Sequence, residues 1–166
     1  MVTEQGVQQR HPDVPLAGKI KPIMRPIEEA LKFAEGRHAG QLYGDQPYLY
    51  HINGVVAIAR SLGLNETVQV EAALHDVVED DKASALEVGE KFGHEVAAVV
   101  LFLARAPDET YEQYIERVAT SPSARVVKIC DLLFNTEQCA KPPTRTTLLV
   151  RYERALFYLA THPTKE

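Results

Sequence analysis

Along most of the chain, apolar residues recur three and four positions apart, a spacing that predicts a succession of helices. Pro26 stands where a helix can start, because its missing N–H costs nothing in the first turn. Ile27, Ala30, Leu31 and Ala34 then follow at helical intervals in "IEEALKFAEGRHAG". The segment "QLYGDQP" (41–47) reads as a loop. A second helix is expected from about Tyr48 to Leu62, stopping near Gly63, and a third from the cap Asn65 to about Asp80. Ser84 opens a short helix that ends at Gly93, and "HEVAAVVLFLAR" is apolar enough to be a central one. "ETYEQYIERVAT" comes next, Pro122 and Ser123 open "SARVVKICDLLFNTEQC", and a last helix after "KPPT" covers 145–161. No stretch alternates with period two for long. The expected class is therefore all-α, a single compact helical bundle over residues 25–166. Residues 1–24 are polar and broken by Pro12, Pro15 and Pro22, a loose leader with Ile20 and Ile23 as its contacts to the body.

Composition narrows the functional classes. The chain has 166 residues, 45% hydrophobic and 25% charged, an ordinary balance for one domain with a filled core. A net charge of −5 argues against broad nucleic-acid binding, which needs a basic face. No apolar run approaches the roughly 20 residues of a membrane span, and the N-terminus "MVTEQGVQQRHPDV" lacks the apolar core of a signal peptide. Cys130 and Cys139 form no CxxC pair and fit a reduced, cytoplasmic protein.

The stretch "AALHDVVED" (72–80) breaks two local rules. Asp76, Glu79 and Asp80 crowd the C-terminal turns of the expected third helix, where partial negative charge favours cations. Asp76 and Asp80 also repel each other at i, i+4. Val70, Ala73, Leu74, Val77 and Val78 make an apolar stripe, and His75, Asp76, Glu79 and Asp80 lie opposite it. A solvated polar face is one reading. A divalent cation is the other, since it relieves the repulsion and since imidazole beside carboxylate is a ligand set for Mn, Fe or Zn.

A second polar set interrupts "VVKICDLLF" (126–134), which is apolar nearly all round and so belongs in the interior. Lys128, Asp131 and Asn135 fall within about 60° of one another on that helix. Asp131 is either the ion-pair partner of Lys128 or a metal ligand from across the bundle, with Asn135 one turn on to hold substrate or water. Among the other histidines His51, one turn into the second helix, is the better candidate ligand, while His38, His94 and His162 read as structural or solvated.

Five segments in this order, "ALKFAEGRHAGQ", "PYLYH", "AALHDVVED", "FGHEVAAVV" and "VKICDLLFN", resemble the HD-domain metal phosphohydrolases. The closer resemblance is to the hydrolase domain of the Rel/Spo enzymes and the small alarmone hydrolases of the Mesh1-like group. That resemblance implies His51, His75, Asp76 and Asp131 as ligands of Mn2+, and Glu79 and Asp80 as the acidic pair that handles the attacking water and the leaving group. It places Asn135 near the nucleotide and Lys128 beside the site. The implied reaction is hydrolysis of (p)ppGpp to GDP or GTP plus pyrophosphate, with a small-molecule nucleotide as the partner. The segment "LYGDQPY" lacks the basic residues such relatives usually carry there, which leaves Tyr43 to stack on a base. Arg105, Tyr111 and Arg117 are candidate phosphate or base contacts. A phosphohydrolase for another nucleotide (a nucleotidase or an NADPH 2′-phosphatase) and a metal- or nucleotide-binding module without turnover stay open.

Overall fold

The computed structural model describes residues 26–162, so the leader 1–24, with Ile20 and Ile23, lies outside the described residues. The described fold is all-α, as expected. Its helices are α1 (Pro26–Arg37), α2 (Leu49–Ser61), α3 (Glu66–Leu74), α4 (Ala85–Phe92), α5 (His94–Leu103), α6 (Tyr111–Ala119), α7 (Pro122–Ala140) and α8 (Thr146–Thr161). The starts of α3, α4, α6 and α7 follow from side-chain caps that satisfy otherwise orphaned N–H groups. Asn65 accepts from the Val68 amide, Ser84 from the Glu87 amide and Ser121 from the Ala124 amide. Thr110 and Gln113 form a reciprocal capping box at the start of α6. No described helix is long and apolar enough to cross a membrane.

The central helix is α7, not α5. It packs against α2, α3, α5, α6 and α8 and buries Val127, Cys130, Leu132 and Phe134. Although α5 is apolar nearly all round, it packs only one side inward against α3, α4 and α7, and Leu101 on its outer side is 54% exposed. Apolar composition alone did not distinguish a buried helix from one with an apolar outer face.

Two further departures shape the site. The segment expected as a loop is a small antiparallel hairpin, β1 (Leu42–Tyr43) and β2 (Gln46–Pro47), with Leu42 opposite Pro47 and Tyr43 opposite Gln46. Gly44 takes φ 63°, a left-handed value suited to the first position of a two-residue hairpin turn. The third helix stops at Leu74, six residues short of Asp80. From there the chain continues through turns, with the Val77 amide bonded to the Leu74 carbonyl and the Asp80 amide to that of Asp76. A side chain explains the stop: His75 Nδ1 bonds the Ala72 carbonyl at 2.7 Å and competes with the helical ladder.

Gly54 brings α2 and α7 together. A Cβ there would lie 2.0 Å from the Phe134 ring. Gly54 is one turn after His51, and Phe134 is one turn after Asp131, so this close approach sets how near those two side chains come.

Candidate metal centre and its acidic pair

His51 lies in the first turn of α2, His75 caps α3, and Asp131 comes from the middle of α7. The Ala72 carbonyl can only accept, so His75 Nδ1 carries a proton and Nε2 is the ring atom turned to the interior. That Nε2 lies 3.1 Å from Asp76 Oδ2, 3.2 Å from His51 Nε2 and 3.7 Å from Asp131 Oδ1. His51 Nε2 lies 3.3 Å from both of those carboxylate oxygens. An ion at about 2.0–2.3 Å from each of four to six N and O ligands keeps neighbouring ligands about 2.8–3.7 Å apart. The separations of 3.1 to 3.7 Å therefore fit a divalent cation, and His51, His75 and Asp131 are buried. The ligand types suit Mn, Fe or Zn.

The electrostatics agree. Burial penalises a charged His75, but Asp76 and Asp131 override it and push its pKa up to about 10. Burial likewise opposes ionisation of Asp76, and His75 and His51 hold it well below the usual carboxylate range. Asp131 is also held low, against its burial, by Lys128 and the imidazoles. The pocket is built for positive charge.

Surrounding side chains aim these donors. Lys128 Nζ donates to Asp131 Oδ2 at 2.7 Å, so Asp131 makes the expected ion pair and still turns Oδ1 toward the imidazoles. Asn135 Nδ2 donates to Asp131 Oδ1 at 2.6 Å and its Oδ1 accepts from the Tyr43 hydroxyl at 2.7 Å. Asn135 is thus engaged as a bridge between Asp131 and Tyr43, not left open for substrate. Tyr43 is no open platform either: one face lies on the His51 ring, with centroids 5.0 Å apart and planes 11° from parallel. Tyr48 donates to Asp76 Oδ2 at 2.6 Å.

Glu79 and Asp80 sit on the turns just after Asp76. Glu79 is exposed, and its pKa is raised, first by loss of solvation and then by Asp76 and Asp80 against the opposing pull of Lys128 and His75. Asp80 Oδ2 accepts from Gln41 Nε2 at 2.7 Å, and Gln41 Oε1 lies 2.9 Å from His38 Nδ1. His38, Gln41 and Tyr48 were not singled out from the sequence as site residues, although the polar i, i+3 pair in "HAGQ" was the signal for two of them. His94 and His162 are exposed, as expected.

The candidate contacts on the α5–α6 side are placed differently. Arg117 bonds Glu109 and the carbonyls of Phe102 and Ala104, so its guanidinium staples that loop and is not available to phosphate. Arg105 is exposed on the same loop, near Glu109. Tyr111 lies near Lys128 and Asp131, with Arg151 over its ring at 4.6 Å.

A family model for the HD domain matches residues 30–133. The chain belongs to the HD domain family. This HD domain is 37% identical over 120 residues to a probable GTP pyrophosphokinase of Mycobacterium leprae, covering 66% of this chain and 15% of that one. It is 31% identical over 119 residues to the guanosine-3′,5′-bis(diphosphate) 3′-pyrophosphohydrolase MESH1 of Drosophila melanogaster, covering 64% and 65%. The chain thus spans less than a fifth of the length of that bacterial relative and about two thirds of the fly protein. A solved structure of a metazoan SpoT ortholog, described as hydrolysing ppGpp, superposes with TM-score 0.72 at 25% identity, over 84% of this chain and 88% of that one. The family implies a divalent metal, and the HD-domain donors found here fit one.

Proposed function

We propose that this HD domain is a Mn2+-dependent (p)ppGpp 3′-pyrophosphohydrolase, releasing pyrophosphate from the ribose 3′-oxygen and leaving GDP or GTP. The observation that carries the reading is the adjacency of a four-donor cation pocket and an acidic pair that the pocket does not consume. His51, His75, Asp76 and Asp131 hold the ion. When bound, it supplies Lewis-acid polarisation of the phosphoryl oxygen and makes water a competent nucleophile near neutral pH. Lys128 and Asn135 fix Asp131, and Tyr48 fixes Asp76, so the donor directions are set before substrate arrives. Glu79, with its raised pKa, takes the proton of the attacking water. Asp80 delivers a proton to the departing ribose 3′-oxygen, so that one P–O bond forms as another breaks and the protons balance. The names of the fly relative and of the SpoT ortholog support this substrate.

One observation favours a second reading, a phosphohydrolase for another nucleotide. The hairpin between Gln41 and Pro47 contains no Lys or Arg, and Tyr43 already has one face on His51. Incubating the Mn2+-loaded protein with ppGpp, NADPH and mononucleotides and identifying the products decides between them. Pyrophosphate and GDP from ppGpp are expected. Glu79→Gln and Asp80→Asn should keep fold and metal while losing about 10²–10⁴-fold in rate. Wild-type rates in both, with metal content verified, would remove the proton-transfer roles.

A further inference from the structure

The proton-handling pair is not symmetric. Glu79 has no described hydrogen-bond partner, whereas Asp80 is held by a short side-chain relay that starts at a buried histidine. His38 follows α1, is 3% exposed, and stacks on the Tyr48 ring at 4.6 Å. Gly40, at φ 81°, turns the chain back, and the Gln41 backbone is pinned on both sides. Its amide donates to the His38 carbonyl and its carbonyl accepts from the Tyr48 amide, each at 2.9 Å.

The hydrogen-bond directions follow from the inventory of donors and acceptors. Asp80 Oδ2 accepts whether the acid is ionised or carries its proton on Oδ1, so the Gln41 nitrogen faces it, at 2.7 Å. The Gln41 oxygen therefore faces His38, and His38 Nδ1 must donate to it, at 2.9 Å. Stacking fixes the His38 ring, the ring fixes which way round the Gln41 amide sits, and the amide fixes Asp80. No described residue engages Asp80 Oδ1. The other ring of the stacked pair, Tyr48, donates to Asp76 Oδ2 at 2.6 Å. One packed ring pair thus aims two carboxylates, one among the cation donors and one in the acidic pair.

We propose that Gln41, oriented by His38, is a positioning residue for the hydrolytic step: it fixes Asp80 through one oxygen and leaves the other directed to the reacting group. This rests on the role given to Asp80 in the proposed function. Gln41→Met keeps the side-chain volume and removes the amide, and His38→Phe keeps the stack and removes the Nδ1 donor.

On the Mn2+-loaded full chain with ppGpp, Gln41→Met is expected to lower kcat about 10- to 100-fold, with KM, metal content and Tm unchanged. His38→Phe should act in the same direction by a smaller factor. In an Asp80→Asn background, Gln41→Met should cost nothing further, because the two residues act as one unit. The relay is also read without turnover. In the metal-free protein the Gln41 side-chain amide should show a proton protected from exchange by NMR, and that protection should disappear in Asp80→Asn and weaken in His38→Phe. Full kcat in Gln41→Met alongside a slow Asp80→Asn overturns the positioning role alone. Full rates in Asp80→Asn overturn the catalytic role of Asp80 and the positioning role with it. An unprotected wild-type Gln41 amide, or losses that add in the double variant, also overturns the proposal.

Discussion

His51 and His75 turn their Nε2 atoms toward each other at 3.2 Å, although their rings come from different helices. Two imidazoles brought that close, with two carboxylate oxygens beside them, make a poor hydrogen-bonded core and a good cation pocket. Asp131 completes it and carries a second duty. It is the partner of Lys128, whose ammonium is largely removed from water. Asp131→Ala should therefore abolish metal binding and also destabilise the metal-free fold by about 3–5 kcal/mol, the usual result of stranding a buried charge. Asp76→Ala should lose the metal with a smaller effect on the metal-free fold. Metal analysis together with urea denaturation in chelator separates the two effects, and equal stability losses would contradict the assignment.

Tyr43 supports His51 and Asn135 at the same time, so its substitutions should not behave as simple losses of a base platform. Tyr43→Phe removes only the bond to Asn135, worth about 1 kcal/mol. Tyr43→Ala also frees the His51 ring and should weaken metal affinity about 10-fold or more, lowering kcat as well as raising KM. Metal-competition titrations beside steady-state kinetics test this. A pure KM effect with unchanged metal affinity would return Tyr43 to substrate contact alone.

Gly54 is expected to be intolerant. Alanine is a better helix former, yet its methyl would meet the Phe134 ring at 2.0 Å and push α2 from α7. Gly54→Ala should cost about 1–3 kcal/mol from overpacking and should weaken metal binding, because His51 and Asp131 ride on those two helices. Restored affinity in Gly54→Ala combined with Phe134→Leu would show that the spacing is responsible.

Glu71 on α3 gives a pH signature remote from the acidic pair. It is 3% exposed, and its Oε2 has no hydrogen-bond partner among the described residues. Burial, with a smaller push from Glu95, raises its pKa from 4.5 to about 7. The folded state therefore favours the protonated acid. The penalty for ionising it is absent below the unfolded pKa and complete above the folded one, so stability falls as pH rises from about 4.5 to about 7. The fall attributable to this group is about 3 kcal/mol. Glu71→Gln should flatten that part of the stability–pH curve, and an unchanged slope in the variant would assign it elsewhere.

The helical class was legible because apolar spacing reports buried faces, and the caps at Asn65, Ser84 and Thr110 mark helix starts by side-chain chemistry that is local. The candidate cation site was legible in part for a different reason: the acidic run after His75 was costly without a cation. The end of α3 was not legible. Its periodicity continues past Leu74, but the backbone changes course when His75 takes the Ala72 carbonyl, a choice made by one side chain. The hairpin was missed because two-residue strands are too short to alternate. Arg117 read as a phosphate contact by charge alone, whereas its partners are Glu109 and two backbone carbonyls contributed by the preceding turn.

Both cysteines are free, so no covalent link joins the described helices. The donor set closes the chain in another way. His51 stands at the start of α2, His75 and Asp76 follow α3, and Asp131 is on α7, so one ion would tie segments that sit far apart in the unfolded chain. Such a tether removes loop-closure entropy much as a disulfide does, but its strength is set by the concentration of free ion. Tm should rise with the logarithm of free Mn2+ above the dissociation constant, and a chelator should return it to the metal-free value. For this protein, metal supply would be a control on folded lifetime as well as on turnover.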